Sequence, residues 1–360
     1  MNSAQPVVII GAGLAGAACA YELIQHCDGP LILVEQNSQP GEHGSAQNAG
    51  LIRSHASNPY TAALARQGAR WWAQQNLASF DPCGSILVGG RSGELVAGFR
   101  SQDHRWLKPR EVLEQTGHPL PTGQRAFFNG LDGIAAPREL LEALLGRCQN
   151  DGLELRLSCR ARLEGETLYL NDQAQPYQAL VIAGGAWSRE LLELPVQSFA
   201  RHLFVSQTEQ SASSPWVWDL DEELYWRRKG SETLLSACDE RVVHHPDPSQ
   251  WPSVATDEEA NLKAKLARSW PSLLPLRLRS SWSGLRVLTP DDGLVLGADP
   301  RHPKIMWCAG LGGHGVTCSV PAARLAMQSL TGRPLSDEDK DLIKAHSPNR
   351  FATLSETWHS

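Results

Sequence analysis

Short apolar runs alternate with helix-type patterns in the first half of the chain. Residues 7–10 and 31–34 are fully apolar, which is typical of strands buried on both faces of a parallel sheet. Residues 17–24, which lie between them, are small and apolar and predict a helix. Residues 137–148 begin with proline and carry apolar positions at helical spacing, which predicts another helix. This order of elements predicts an α/β fold.

The pattern changes to strand-type alternation in residues 196–280. Residues 224–227 and 233–237 predict neighbouring strands joined by a turn at Lys229-Gly230, and residues 257–269 predict a helix. We therefore expect a second, α+β domain built on a mainly antiparallel sheet. A chain of 360 residues is long enough for two such domains.

The first apolar strand leads directly into a glycine-rich turn, Gly11-Ala12-Gly13-Leu14-Ala15-Gly16. In a nucleotide-binding turn, the first glycine allows the tight bend and the second allows close approach to a pyrophosphate. The third lets the helix pack on the strand. Glu35 follows the second strand, 19 residues after Gly16, where it can accept hydrogen bonds from ribose hydroxyls. The acid argues against NADP but does not separate NAD from FAD, and a turn without a ligand is the plain alternative.

Composition limits the partners. The net charge of −6 argues against nucleic acid, and none of the eight cysteines forms a CxxC pair, so we predict no metal site. No run approaches the ~20 apolar residues that span a bilayer. We predict a cytoplasmic protein with reduced thiols and leave peripheral membrane contact open.

A long, polar and glycine-rich segment, residues 39–53, follows Glu35. Here the chain resembles the superfamily of FAD amine oxidoreductases that contains D-amino acid oxidase, glycine oxidase and sarcosine oxidase. Three later segments, 179–188, 283–293 and 309–317, resemble further motifs of that superfamily in the correct order. Within it, the chain is similar to bacterial D-amino acid dehydrogenases of the D-arginine dehydrogenase type.

The resemblance implies a Rossmann-like FAD-binding domain that holds FAD non-covalently. Sarcosine oxidases attach the flavin through a cysteine after the arginine strand, and residues 287–300 contain none; His43 lies too early to match the histidine of dimethylglycine-type enzymes. In the last loop, free N–H groups at a helix start would stabilise negative charge on reduced flavin. The implied cofactor-binding residues are Gly11, Gly13, Leu14, Ala15, Gly16, Glu35, Gln36, Gly44, Ser45, Gln47, Asn48, Ala49, Gly50, Leu51, Ala161, Ala183, Gly184, Gly185, Trp187, Arg286, Gly312, Gly313, His314, Gly315, Val316 and Thr317.

The resemblance also implies a discontinuous layout. The FAD-binding domain is predicted over residues 1–75, 137–195 and 281–345. The substrate domain is predicted over residues 76–136 and 196–280. Residues 346–360 are predicted to form a C-terminal tail.

Five residues are candidates for substrate binding. Arg286 matches the arginine with which the family clamps a substrate carboxylate, and a guanidinium suits that bidentate role. Tyr225 lies where the D-arginine dehydrogenase type has a carboxylate-binding tyrosine. Arg201, Arg53 and His55 are further candidates, each weighed against a structural role. An extra cation at Arg53 would favour a more acidic substrate or a second carboxylate.

The implied reaction moves a hydride from the carbon next to nitrogen to flavin N5, and the imine product then hydrolyses to a 2-oxo acid. No general base is required if the amine binds neutral. The substrate is expected to be an amino acid; a secondary (N-methyl) amino acid and an FAD-binding subunit of a larger dehydrogenase complex stay open. An NAD-linked dehydrogenase fits the 44–50 segment poorly. The electron acceptor is oxygen or a quinone or other carrier.

Overall fold

The computed structural model describes residues 5–26, 29–75, 79–90, 95, 104–208, 214–250 and 252–351. Its strands are, in chain order, β1 (Val7–Ile10), β2 (Leu31–Val34), β3 (Leu51–Ile52), β4 (Phe80–Asp81), β5 (Ser85–Val88), β6 (His104–Leu107), β7 (Ala126–Asn129), β8 (Gly133–Ala135), β9 (Glu154–Arg156), β10 (Ala161–Glu164), β11 (Thr167–Leu170), β12 (Gln173–Ala174), β13 (Ala179–Ile182), β14 (Gln197–Gln207), β15 (Trp216–Asp219), β16 (Leu224–Lys229), β17 (Glu232–Ser236), β18 (Arg241–Val243), β19 (Leu278–Leu288), β20 (Val295–Ala298) and β21 (Ile305–Ala309).

The described α-helices confirm the three helices predicted above. They are α1 (Leu14–Ile24), α2 (Pro59–Gln75), α3 (Pro109–Thr116), α4 (Pro137–Asn150), α5 (Ser188–Leu191), α6 (Thr256–Ser269), α7 (Gly315–Ala326), α8 (Gln328–Thr331) and α9 (Asp337–His346). Short 3₁₀ turns cover Gly185–Trp187, Pro271–Leu273, Gly312–His314 and Pro348–Phe351.

The two fully apolar runs form neighbouring parallel strands of a six-stranded sheet. Its order is β20-β21-β13-β1-β2-β9, and only the β20–β21 pair is antiparallel. Apolar side chains on one face pack against α1, α2, α4 and α7, and those on the other pack against the small sheet β10-β11-β12. Burial on both faces explains why β1 and β2 contain no polar position.

The alternating half of the chain forms a second, nine-stranded sheet, and this confirms the predicted mixed fold. Eight strands lie in the order β18-β14-β17-β16-β15-β5-β7-β6, and β19 also pairs with β14. All pairs are antiparallel except β15–β5. Helix α6 covers one face, where the rings of Trp226 and Trp270 meet edge to face at 5.7 Å.

The predicted domain limits stay a proposal. Strand β19 runs across the proposed boundary at residues 280 and 281, and its partner along its length is β14. In the proposed tail, Arg350 forms an ion pair with Asp291 at 2.7 Å and Phe351 is buried, while residues 352–360 lie outside the described residues. Among the described helices, none has both the length and the apolar character needed to cross a bilayer.

Candidate active site

A cavity of about 810 Å³ lies at the carboxyl ends of the parallel strands and extends to the nine-stranded sheet. This is where open α/β sheets bind their ligands. Most of the predicted site residues line it: Gly11, Gly13, Leu14, Ala15, Glu35, Gln36, Gly44, Ser45, Gln47, Asn48, Ala49, Gly50, Leu51, Arg53, Ala161, Ala183, Gly184, Gly185, Trp187, Arg201, Tyr225, Arg286, Gly312, Gly313, Gly315 and Val316.

Four predicted site residues do not line the cavity: Gly16, His55, His314 and Thr317. Gly16 packs beneath the turn, where a Cβ would lie 1.9 Å from the Gly11 carbonyl oxygen. Thr317 accepts a hydrogen bond from the Arg53 backbone N–H at 3.0 Å. These four residues therefore lie behind the cavity wall in this structure, and their expected roles toward flavin or substrate stay predictions.

The glycines of the turn after β1 leave no room for side chains. Gly11 has φ +99°, and a Cβ there would lie 2.6 Å from the Ala183 carbonyl oxygen. A Cβ on Gly13 would lie 2.9 Å from Ser45 Oγ and fill the space in front of α1. Ser45 Oγ accepts a hydrogen bond from the Leu14 N–H at 2.9 Å, so a hydroxyl and the helix start face the same space.

Glu35 is held at the end of β2 by the backbone around it. One carboxylate oxygen accepts from the Ala12 N–H at 2.9 Å, and the other accepts from the Asn37 N–H at 3.0 Å. Burial raises the pKa of Glu35, and these hydrogen bonds oppose that rise. Because each oxygen keeps a second lone pair, the group can still accept from a ribose hydroxyl.

The polar segment after β2 is fixed by its own side chains. The Asn48 side chain donates to the carbonyl oxygens of Gly44 and Ser45, at 3.0 and 2.8 Å, and accepts from the Gly50 N–H at 2.8 Å. Arg227 donates through Nε to the Ala49 carbonyl oxygen at 2.5 Å. The segment is therefore tied to the nine-stranded sheet as well as to itself.

The far end of the cavity contains residues that the sequence analysis did not find. Cys159, Arg160, Arg162 and Asn171 line it beside the predicted Ala161. Trp187 and His43 also line the cavity, and their rings lie 4.4 Å apart. The indole N–H of Trp187 donates to the Pro246 carbonyl oxygen at 2.7 Å. The signal available in the sequence was the pair of arginines, Arg160 and Arg162, on either side of Ala161.

The end of the cavity nearest the nine-stranded sheet contains a tyrosine and three arginines. Tyr225 is only 4% exposed, and its hydroxyl makes no hydrogen bond to a described residue. Arg286 also makes no hydrogen bond or ion pair within the described part of the chain. Burial, and then the charge of Arg201, lower the pKa of Arg286. Arg201 differs because it donates to the Asp239 carbonyl oxygen and to Glu240 Oε1, the latter at 2.8 Å.

Arg53 lies close to Arg286. A Cβ on Gly313 would lie 3.2 Å from Arg53 Nη2 and 3.4 Å from Arg286 Cζ, so both guanidinium groups border the same point beside Gly313. Arg53 stacks over the Trp218 ring at 4.7 Å, and its Nη2 lies 2.8 Å from His314 Nε2. Burial and the charge of Arg286 lower the pKa of Arg53 to about 10.

A buried polar cluster supports Arg53 from behind. His314 is 8% exposed, and burial and the charge of Arg53 hold its pKa well below the ordinary value. His314 Nε2 lies 3.1 Å from the His55 carbonyl oxygen. The His55 ring lies 3.5 Å from Asp132, whose carboxylate also accepts from Ser85 Oγ at 2.7 Å. Burial lowers the pKa of His55, so both histidines are neutral near pH 7.

One group outside the cavity has the residue types of a metal site. His202, Asp239 and Glu258 place one ligand atom each within 4.8 Å of one another. His202 Nδ1 already lies 2.6 Å from Asp239, and Arg241 lies 2.7 Å from Glu258. Burial lowers the pKa of His202, but the Asp239 carboxylate outweighs this and raises it overall, and Arg241 is the cationic partner of Glu258.

Comparison with known protein families identifies the family of this chain. The sequence matches the family DAO, FAD dependent oxidoreductase, over residues 6–329. The chain belongs to this family. It is therefore an oxidoreductase of the class that uses FAD, and the glycine cradle, the acid at the end of β2 and the fixed polar segment fit that cofactor.

Individual relatives are distant but cover most of the chain. Human peroxisomal sarcosine oxidase is 23% identical over 86% of this chain and 87% of its own length. The bifunctional protein ThiO/ThiG of Synechocystis is 25% identical over 99% of this chain, and the chain spans only 55% of that longer relative. The structure of L-proline dehydrogenase from P. horikoshii superposes with a TM-score of 0.81 at 16% identity, covering 98% of this chain and 99% of that one. The family is thus one of amine and amino acid oxidoreductases, and the narrower likeness to D-amino acid dehydrogenases stays a prediction.

Proposed function

We propose that this chain oxidises the carbon–nitrogen bond of a small amino acid, with Arg286 and Tyr225 holding the substrate carboxylate. The observation that carries the proposal is the unpaired Arg286 guanidinium, which lies in the same cavity as the nucleotide cradle. Buried cations are normally paired, so an unpaired one at a cavity wall suits an anionic ligand. The free Tyr225 hydroxyl can donate to the same carboxylate.

FAD held in this cavity would supply the redox chemistry, as the acceptor of a hydride from the carbon next to nitrogen. The imine product would then take up water and release a 2-oxo acid and ammonia or an amine. The protein residues orient the substrate. Arg286, Arg201 and Arg53 line one end of the cavity, and their positive charge would disfavour a substrate ammonium and favour the neutral amine that can lose the hydride. Gly312, Gly313 and Gly315 line the cavity where α7 begins, and free backbone N–H groups at that helix start would stabilise negative charge.

Two further features belong to the proposal. A secondary amine is the second candidate substrate, because a sarcosine oxidase is among the relatives. We also propose that FAD binds non-covalently, although Cys159 and Cys308 line the cavity. Acid precipitation separates the two modes: the yellow colour is expected in the supernatant, and colour that stays in the pellet would indicate a covalent bond.

The purified protein should be yellow, and one amino acid or N-methyl amino acid should bleach it in the absence of oxygen. The panel should contain D-, L- and N-methyl amino acids together with amines that lack a carboxylate. If only the amines that lack a carboxylate bleach the protein, Arg286 does not bind a substrate carboxylate. A yellow protein that no compound bleaches would favour the FAD-binding subunit of a larger dehydrogenase complex. Readmitting air to the reduced protein then tests whether oxygen is the electron acceptor.

A further inference from the structure

We infer, as an extension of the proposed function, that the substrate is a short dicarboxylic amine, with one carboxylate on Arg286 and the second on Arg53. The inference depends on the arrangement of charge in the cavity. Three guanidinium groups line one end of it, those of Arg53, Arg201 and Arg286. Only Arg201 has a carboxylate partner in the described structure, Glu240 at 2.8 Å.

Arg53 has partners, but they carry no negative charge. Its Nη2 contacts the His314 ring, and its guanidinium lies over the Trp218 ring. Its Nε is buried without a hydrogen-bond partner. Asp132 is the acid behind it, but the Asp132 oxygens accept from the Ser54 N–H at 2.8 Å and from Ser85 Oγ at 2.7 Å. An arginine buried for structural reasons would be expected to have a carboxylate, as Arg201 has.

The contacts of Arg53 fix its position instead of neutralising it. Stacking on Trp218 restrains the plane of the guanidinium, and the neutral His314 ring restrains one end. The group is thus held in place with Nη2 beside Gly313. Such preorganisation reduces the entropy lost when an anion binds.

One carboxylate cannot balance both cations. If a substrate with a single carboxylate bound between Arg53 and Arg286, one positive charge would stay uncompensated in a buried site. A second carboxylate removes that charge. Because both guanidinium groups lie within 3.4 Å of one point beside Gly313, the two carboxylates must be separated by only a few atoms.

Binding to the unmodified protein tests the inference without turnover. The FAD-loaded protein is titrated calorimetrically with propionate and with succinate, which differ by one carboxylate. Succinate is expected to bind about tenfold more tightly or better, since a charge-assisted pair is gained. Equal dissociation constants for the two ligands would overturn the inference.

Substrates and variants separate this inference from the proposed function. Aspartate and iminodiacetate should bleach the flavin with higher efficiency than alanine and sarcosine. The variant Arg53→Gln should lose the preference for succinate over propionate, and the matched variant Arg53→Lys, which keeps the charge, should retain much of it. If the compounds with one carboxylate reduce the flavin as efficiently as their dicarboxylic partners, the proposed function stands and this inference is overturned. If no amine reduces the flavin, the proposed function and this inference are both overturned. If Arg53→Gln loses affinity for succinate and propionate equally, Arg53 and Arg286 share one carboxylate, and this inference is overturned.

Discussion

Substitution of Arg286 should reduce activity without reducing the stability of the fold. The change Arg286→Gln removes the charge and the fork of donors but keeps an amide of related shape. In the free protein the guanidinium has no hydrogen bond or ion pair with a described residue, and it is repelled by Arg201. Its removal should therefore leave the thermal midpoint unchanged or slightly higher, because no hydrogen bond or ion pair within the described part of the chain is lost and a repulsion is relieved.

The expected loss is confined to the substrate complex. Removing one partner of a buried charge pair costs about 2–5 kcal/mol. At about 1.4 kcal/mol for each factor of ten, this predicts a fall in kcat/KM of about thirtyfold to a few thousandfold. The control variant is Arg110→Gln, which removes an exposed arginine paired with Glu114 and should change neither quantity.

The assay is anaerobic stopped-flow reduction of the flavin, with the bound FAD measured from the visible spectrum of each variant. Amines with and without a carboxylate are compared. The loss should occur with amino acids and be small with an amine that has no carboxylate. Activity within threefold of the parent protein, or a fall in thermal midpoint of several degrees, would refute the assignment of Arg286 as an unpaired carboxylate clamp.

Three further predictions test other parts of the structure. Gly13→Ala places a methyl group 2.9 Å from Ser45 Oγ and should weaken FAD binding about tenfold or more. The control Gly146→Ala, where no atom lies within 4 Å, should leave FAD binding unchanged. Titration of the apoprotein with FAD measures both. Because the pKa of Arg53 is about 10, succinate affinity should be constant to about pH 9 and fall as pH rises through 10; a curve of the same shape in Arg53→Gln would contradict this. The ion pair with Arg324 lowers the pKa of Asp339 to about 2, so this carboxylate stabilises the fold above its unfolded pKa of about 4, and that contribution is lost as pH falls toward 2. Asp339→Asn should therefore lower the urea midpoint at pH 7 and approach the parent protein in acid, and a gap that does not change with pH would count against the pair.

The sequence by itself determined the elements and the nucleotide end of the site. Strands β1 and β2, the glycine turn and Glu35 could be predicted because each depends on requirements that act within a few residues: burial on both strand faces, a positive φ at Gly11 and space at Gly13. The lining role of Arg286 and Tyr225 could be expected only from the family resemblance. Their positions follow from two strands, β16 and β19, whose side chains alternate in a regular way.

Only the tertiary structure decided which charges are paired. Arg201, Arg53 and Arg286 are equivalent in a sequence pattern, yet a loop distant in sequence supplies Glu240 to Arg201, while no carboxylate of the described residues forms an ion pair with the other two. His55 and His314 similarly belong behind the wall because Asp132 and Arg53 hold them there. Ion pairing and burial depend on chain segments that come into contact only after folding, so local sequence preferences do not predict them.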